Sequence, residues 1–128
     1  AKWFARKVAT MRLFPSDDGD AQWRRSVIER GGEILCVSQF TLYAKTTKGT
    51  KPDFHNAMGG DSAKGLYEQV VSLLRKERGG KAELVQEGRF GAMMEVSLVN
   101  DGPVTIMLDS NKNALAVPSS SSGSGGGG

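Results

Sequence analysis

Apolar residues recur at helical spacing in two parts of the chain, residues 2–11 and residues 62–78. Charged residues fill most of the positions between them, which predicts two amphipathic helices. The first stripe consists of Trp3, Phe4, Val8 and Met11, and the second of Ala63, Leu66, Tyr67, Val70, Leu73 and Leu74. A pair of glycines follows the second stripe and predicts the end of that helix.

Shorter apolar runs predict strands. Residues 34–37 form a continuous apolar run, typical of a strand that is covered on both faces. Residues 83–86 predict a second strand and residues 90–99 a longer one. Asn-Asp-Gly at 100–102 is the strongest hairpin signal in the chain. Residues 104–108 are therefore predicted to pair back onto the preceding strand.

The run at 33–44 is the segment around which the other elements are expected to be arranged. Its apolar first half gives way to Ser38, Gln39 and Thr41, with the aromatic Phe40 among them. A strand that leaves the core with several hydrogen-bonding groups is suited to form the wall of a binding site. A core strand whose end reaches solvent explains the pattern equally well.

Composition narrows the class of protein. The chain has 128 residues, 38% hydrophobic and 24% charged, which is typical of one soluble globular domain. No apolar run approaches the roughly 20 residues of a membrane span. The single cysteine, Cys36, lies in the apolar strand and is interpreted as a buried structural thiol, which favours a reducing, cytoplasmic setting. One cysteine and one histidine are too few for a four-ligand zinc site.

Charge permits a nucleic-acid partner without requiring one. Seventeen basic and fourteen acidic residues give a net charge of +3 and a pI near 9.2. Residues 45–54 carry three lysines and one acid, which fits a solvated loop and also a loop that contacts phosphate. This loop lacks the glycine spacing of a Walker A motif. His55, which any Ser-His-Asp triad would have to use, lies in the same polar stretch, and a catalytic role for it is disfavoured.

Four motifs occur in order along the chain, and together they resemble those of the D-aminoacyl-tRNA deacylases. They are Ser-Gln-Phe-Thr-Leu at 38–42, Lys-Gly-Thr-Lys-Pro-Asp-Phe at 48–54, Gly-Arg-Phe-Gly-Ala-Met-Met at 88–94 and Asn-Asp-Gly-Pro-Val-Thr at 100–105. The resemblance extends from about residue 2 to residue 110. It implies an enzyme of translation proofreading that hydrolyses the ester between a D-amino acid, or glycine, and the 3′ end of tRNA.

The resemblance also implies a fold. It indicates a single α/β domain over residues 1–118, with a mixed, barrel-like sheet in an α/β/β layered arrangement, working as a homodimer. The family begins with a strand hairpin that carries a Gln-Arg-Val motif, for which nothing before Ala1 is a counterpart, so the N-terminal strands are expected to be missing. Residues 119–128 are only serine and glycine and are expected to form a disordered tail.

Candidate site residues follow from the same resemblance. The strand end that lines the pocket for the terminal adenosine and the ester consists of Ser38, Gln39, Phe40 and Thr41. The expected substrate-binding residues are Gly102, Pro103, Val104, Thr105, Phe90, Ala92, Met94 and Lys51. The Gly102–Pro103 bond is expected to be cis, inserted from the neighbouring subunit, and to face the α-carbon of the amino acid.

The expected chemistry needs neither metal nor cofactor. An aminoacyl ester is already activated, so the site has mainly to position it and stabilise an oxyanion, which backbone N–H groups near residues 39–41 can do. Thr41 could attack covalently, or the ribose 2′-hydroxyl could assist a water molecule. The second route is favoured because no base adjoins Thr41 in sequence. A rigid backbone wall would exclude L side chains by steric clash.

Two other interpretations stay open. A non-catalytic tRNA-binding module could keep the same fold without the reaction, which the basic balance and the missing first strands would suit. A relative that corrects L-alanine mischarging would have a trans bond at Pro103, although the motif at 100–105 fits the D-specific pattern better. The expected partners are D-aminoacyl-tRNA and a second copy of the chain, with no membrane.

Overall fold

Two helices and a pair of short parallel strands form the framework of this mixed α/β protein. The structure is a computed structural model, and it describes residues 1–111. The elements in chain order are α1 (Lys2–Thr10), β1 (Ile34–Cys36), a 3-10 turn (Phe40–Tyr43), α2 (Gly60–Glu77), a second 3-10 turn (Ala82–Leu84) and β2 (Val85–Glu87). The predicted tail and the predicted domain end at residue 118 lie outside the described residues.

Both predicted helices are confirmed, with ends within two residues of those predicted. Arg75 and Lys76 occupy the last turn of α2, where positive charge interacts favourably with the helix dipole. Gly79 follows with φ of +70°, a left-handed conformation that closes the helix. No helix in the described part of the chain combines the length and apolar character that a membrane span requires.

The core lies where the two helices meet the sheet. Ala5 of α1 is fully buried against Val71 and Leu74 of α2 and Val85 of β2. The small side chain of Ala5 leaves room for the larger residues of α2. The stripe predicted for α2 is confirmed in part, because Leu74 is buried but Leu66 is 42% exposed, and the buried Val71 was not among the predicted residues. Buried apolar surface of this kind stabilises a fold by roughly 25 cal/mol per Å².

The two strands pair in parallel, with Ile34 opposite Val85 and Cys36 opposite Glu87. The strand predicted at 34–37 is therefore confirmed over its first three residues, and the one predicted at 83–86 forms slightly later in the chain. Arg78, which directly follows α2, donates a hydrogen bond to the carbonyl of Gly32 at 2.7 Å and so ties the end of the helix to the approach of β1. Both strands end at the same edge because they run in the same direction.

Three strand predictions are wrong for the described residues. Residues 90–99 and 104–108 form no strand and no backbone ladder within 1–111. A strand needs a neighbouring edge, and this region is largely uncovered: Met93 is 100% and Val99 95% exposed. The strand predicted to continue to residue 44 is replaced by the turn Phe40–Tyr43. The sheet of the described residues has two strands, too few for the barrel-like arrangement.

Candidate active site

The parallel ladder brings two distant chain segments to one edge of the sheet. Residues 37–41 leave the end of β1, and residues 88–94 leave the end of β2. The N–H of Gly88 donates to the carbonyl of Cys36 at 2.8 Å, which keeps the two segments adjacent beyond the ladder. In open α/β sheets, ligands bind outside the carboxyl ends of the strands. This edge therefore holds the candidate site.

The first segment forms an exposed polar turn rather than a strand. Gln39 donates a hydrogen bond from Nε2 to Oγ1 of Thr41 at 2.6 Å. Such a local bond competes with extended pairing, which accounts for the 3-10 conformation here. The first backbone bond of the turn runs from the Leu42 N–H to the Gln39 carbonyl at 3.4 Å. The N–H groups of Phe40 and Thr41 lie ahead of that bond, and Ser38 precedes it, half-buried.

An aromatic contact joins this turn to the following loop. The rings of Phe40 and Phe54 meet edge to face, with centroids 5.0 Å apart and planes at 71°, a favoured aromatic geometry. The loop is closed by two backbone hydrogen bonds between Lys45 and Asp53, at 2.8 and 3.0 Å. Lys51, a predicted substrate-binding residue, is exposed within this loop.

The second segment packs against α2 through Tyr67. Its ring lies 5.6 Å from that of Phe90, and its hydroxyl donates to the Cys36 carbonyl at 2.9 Å and lies 3.5 Å from that of Gly88. Burial raises the pKa of Tyr67, so the phenol stays protonated and able to donate. The tyrosine thus bridges the ends of both strands and fixes the position of Phe90.

Met94 and Ala92 differ in their surroundings. A side-chain carbon built at Gly88 would lie 3.5 Å from the Met94 terminal methyl group and 3.4 Å from Val37, so Met94 lies against the sheet edge. Ala92 is exposed on the turn that it closes, where its N–H donates to the Arg89 carbonyl at 3.2 Å. Of the residues predicted near adenine, Phe90 and Met94 are therefore brought to the edge by defined contacts.

The Gly102–Pro103 corner stands apart from the turn. Its peptide bond is cis, as the resemblance implies and unlike the trans form of the L-alanine interpretation. Gly102, Pro103, Val104 and Thr105 are all exposed. Within residues 1–111 no hydrogen bond, ion pair or ring contact joins this corner to the Phe40–Tyr43 turn. One copy of the described chain does not bring together the two halves of the predicted site.

Neither Cys36 nor His55 is arranged as part of a catalytic triad. Burial is the main cause that raises the pKa of the Cys36 thiol, which keeps it protonated and weakly nucleophilic. The His55 Nδ1 lies 2.5 Å from Oδ2 of Asp53, a neighbour in the same loop. No serine or threonine hydroxyl is hydrogen-bonded to this histidine in the described part of the chain.

Sequence reasoning missed Tyr67 and Phe54 as parts of the site. Tyr67 was assigned to the packing stripe of α2, where its ring does lie, but its hydroxyl reaches the strand ends. The one signal available was a phenol, which needs a polar partner, at the border of an apolar stripe. Phe54 gave a comparable signal as an aromatic residue within a polar loop.

The structure is that of a mixed α/β protein. The edge where its parallel strands end carries an exposed hydrogen-bonding turn beside a loop that contains lysines. Residues 1–109 match the family described as D-Tyr-tRNA(Tyr) deacylase. The chain belongs to the D-aminoacyl-tRNA deacylase family, whose reaction is an ester hydrolysis in translation proofreading.

Individual relatives agree with this assignment. A D-aminoacyl-tRNA deacylase of Yarrowia lipolytica is 53% identical over 109 residues, covering 85% of this chain and 70% of the relative. That of Saccharomyces cerevisiae is 54% identical over 108 residues, covering 84% and 70%. An inactive D-aminoacyl-tRNA deacylase of Bacillus subtilis is 50% identical over 110 residues, covering 86% and 79%. A solved structure, the c-Myc DNA Unwinding Element Binding Protein, is similar at a TM-score of 0.77 and 46% identity, covering 85% and 70%.

Proposed function

We propose that this chain releases D-amino acids, and glycine, from the 3′ end of tRNA at the carboxyl edge of its parallel sheet. The observation that carries this assignment of the site is the meeting of two motif segments there, residues 37–41 and residues 88–94. They are far apart in sequence, and the Gly88–Cys36 hydrogen bond holds them together. The substrate ester then lies over the turn, with the adenosine towards Phe90 and Met94.

The turn supplies oxyanion stabilisation rather than a nucleophile. The backbone N–H groups of Phe40 and Thr41, ahead of the first turn bond, are suited to donate to the oxygen that becomes negative as the ester is attacked. The Thr41 hydroxyl accepts a hydrogen bond from Gln39. In the described residues no carboxylate or imidazole contacts that hydroxyl to remove its proton. Attack by water, assisted by the ribose 2′-hydroxyl of the substrate, therefore suits the site better than attack by Thr41.

In this proposal, aromatic and apolar side chains at the carboxyl edge of the sheet bind the adenine. The exposed ring of Phe40 offers a stacking face, and nucleobases stack on aromatic side chains for about 1–3 kcal/mol each. Phe90 and Met94 belong to the second segment at the same edge of the sheet, with Ala92 leaving space near the backbone. Ser38, directly before the turn, offers a hydroxyl group, and Lys51, exposed in the following loop, offers an ammonium group.

Chiral selection requires a second copy of the chain in this proposal. The corner formed by Gly102, Pro103, Val104 and Thr105 is exposed in one copy, so a partner subunit could insert it over the α-carbon of the substrate. Apolar residues around the corner are also exposed: Val96, Leu98, Val99, Ile106 and Met107. Such patches mark association surfaces. Dimerisation would cover them and provide the strand edges that a barrel-like, layered sheet needs.

A second candidate function is binding of tRNA without hydrolysis. The Bacillus subtilis relative favours it, because a protein described as inactive is 50% identical to this chain over 110 residues. Overall identity therefore does not separate an active chain from an inactive one. Only the reaction itself distinguishes the two functions.

The test is release of D-tyrosine from D-tyrosyl-tRNA, with L-tyrosyl-tRNA as the control. Fast release of the D form alone supports the proposed function, whereas tRNA binding without release supports the second candidate. Thr41→Val should retain most of the rate, and a loss of several orders of magnitude would establish Thr41 as the nucleophile instead. Sedimentation at micromolar concentration tests the dimer, which a purely monomeric active enzyme would contradict.

A further inference from the structure

A cleft of about 200 Å³ lies in the loop next to the candidate active site, and neither the proposed reaction nor the adenine site uses it. We call it the lysine cleft; it is lined by Lys45, Thr47, Lys48, Asp53 and His55. We propose that the lysine cleft binds a backbone phosphate of the single-stranded 3′ end of tRNA. This inference rests on the proposed function, since it assigns a further contact to the same substrate.

The position of the cleft relative to the turn supports this inference. Phe54 stands between two cleft residues, Asp53 and His55, and its ring packs on Phe40 of the turn. The turn and the cleft are thereby held side by side by a single aromatic contact. A tRNA whose terminal ester lies over the turn must lead its preceding nucleotides away across the neighbouring surface, and each of them carries a phosphate.

The electrostatics of the cleft also favour an anion. Its one carboxylate, Asp53, already accepts a hydrogen bond from the His55 N–H at 2.9 Å and meets the His55 ring at 2.5 Å. The backbone bond from His55 is the main cause that lowers the pKa of Asp53, so the carboxylate is ionised and engaged within the loop. Its hydrogen bonds go to His55, and the charge of Lys45 is the smallest of the causes that lower its pKa.

The two cleft lysines have no carboxylate within ion-pair distance in the described residues, so their ammonium groups can turn towards a ligand. Neither Lys45 nor Lys48 forms an ion pair with another residue of the described chain, whereas Lys64 on α2 lies 3.9 Å from Glu68. Lysine acts on phosphate as a mobile point charge, and the hydroxyl of Thr47 adds a neutral donor. Two cations and a hydroxyl around a cleft of this size suit one phosphate group.

Binding of uncharged tRNA, measured over a series of salt concentrations, tests the inference without depending on hydrolysis. Lys48→Gln should weaken binding by about tenfold, the size expected for the loss of one charge-assisted hydrogen bond. The slope of log affinity against log salt should become shallower by about 0.7, the value for one phosphate contact on a single strand. Lys48→Arg, which keeps the charge, should restore both quantities.

Two controls separate the cleft from general charge effects. Lys7→Gln removes the same charge from the exposed face of α1 and should leave affinity and slope near those of the parent chain. A tRNA that lacks its 3′-terminal CCA should bind the parent and Lys48→Gln equally. Equal slopes for the two glutamine variants, or the same loss on the truncated tRNA, would overturn the inference. Absence of D-tyrosine release would instead count against the proposed function alone.

Discussion

The half of the molecule where the helices pack on the sheet buries its apolar side chains, whereas the half at the strand edge exposes them. Between α1, α2 and the sheet, apolar side chains such as Leu74 are buried and contact one another. At the edge where the strands end, apolar side chains such as Leu42 and Met93 face outwards, and the ordered contacts are a few hydrogen bonds and two ring pairs. Buried packing is therefore concentrated in one half and the candidate site lies in the other, with the short ladder joining them.

The two halves should differ most in how far a leucine-to-alanine substitution lowers the free energy of unfolding. Leu74→Ala should lower the free energy of unfolding by about 2–5 kcal/mol, because it leaves a cavity beneath α2 where the leucine is 1% exposed. Leu42→Ala, the same chemical change at an 82% exposed position, should cost less than about 0.5 kcal/mol. Urea unfolding of both variants measures this. Similar losses would show that Leu42 is covered in solution, as an interface would cover it.

A second prediction separates activity from stability at the Gly102 corner. Gly102 has φ of +130°, and a side-chain carbon there would lie 2.9 Å from the Val104 side chain. Gly102→Ala should strain the corner by about 1–3 kcal/mol and reduce D-tyrosine release by at least about tenfold. It should destabilise the protein less than Leu74→Ala does. Gly60→Ala, where no atom lies within 4 Å of the added carbon, is the matched control; equal activity of the two variants would remove the corner from the site.

Tyr67 lies on α2 and contacts the strand ends, so loss of its hydroxyl should affect both stability and substrate binding. Tyr67→Phe removes the bond to the Cys36 carbonyl and should lower the free energy of unfolding by about 1 kcal/mol. It should also loosen Phe90 and raise KM for the tRNA substrate. Tyr43→Phe, at an exposed phenol in the turn, should leave stability unchanged. A stable Tyr67→Phe variant would show that the hydroxyl does not hold the strand ends together.

The same residue gives a pH signature. Burial raises the pKa of Tyr67 in the folded state, so its contribution to stability is fully present below the ordinary tyrosine pKa of about 10. That contribution is lost as pH rises through the raised value. The stability difference between the parent and Tyr67→Phe should therefore shrink above pH 10. A difference that stays constant across this range would contradict the buried position of the phenol.

The last prediction is a gain in stability rather than a loss. Gly65 lies within α2 on an exposed surface, with no atom within 4 Å of an added side-chain carbon. Gly65→Ala should stabilise the protein by about 0.5–1 kcal/mol through the lower entropy of the unfolded chain. Thermal unfolding measures this gain. Destabilisation would indicate that this face of α2 is packed against a partner.

The helices could be predicted from the sequence because helix formation is a local matter. The apolar stripes of 2–11 and 62–78 contain their own period, and α2 ends where its glycine pair permits a left-handed residue. Strands depend on partners that lie elsewhere in the chain or in another chain. Residues 90–99 have a strand-like composition, but pattern alone cannot supply the edge that would pair with them.

The candidate site was predicted only in part from the sequence, because several of its contacts join residues that are far apart in the chain. The motif containing Gln39 and Thr41 was placed correctly after an apolar strand, but its side chains bond to each other and form a 3-10 turn. Contacts between distant residues, such as Phe40 with Phe54 and Tyr67 with Phe90, leave no periodic signal. The family resemblance identified the chemistry, while the structure shows which residues contact one another around the candidate site.

The register of the ladder limits how this enzyme can change its length during evolution. Ile34 pairs with Val85 and Cys36 with Glu87, and the site segments begin directly after those pairs. Since side chains alternate between faces along a strand, adding or deleting one residue within either strand would turn the following segment to the opposite face. Insertions in the loop between His55 and α2 would leave that alignment and the lysine cleft intact. Length variation should therefore be tolerated in that loop and be rare at 34–41 and 85–94.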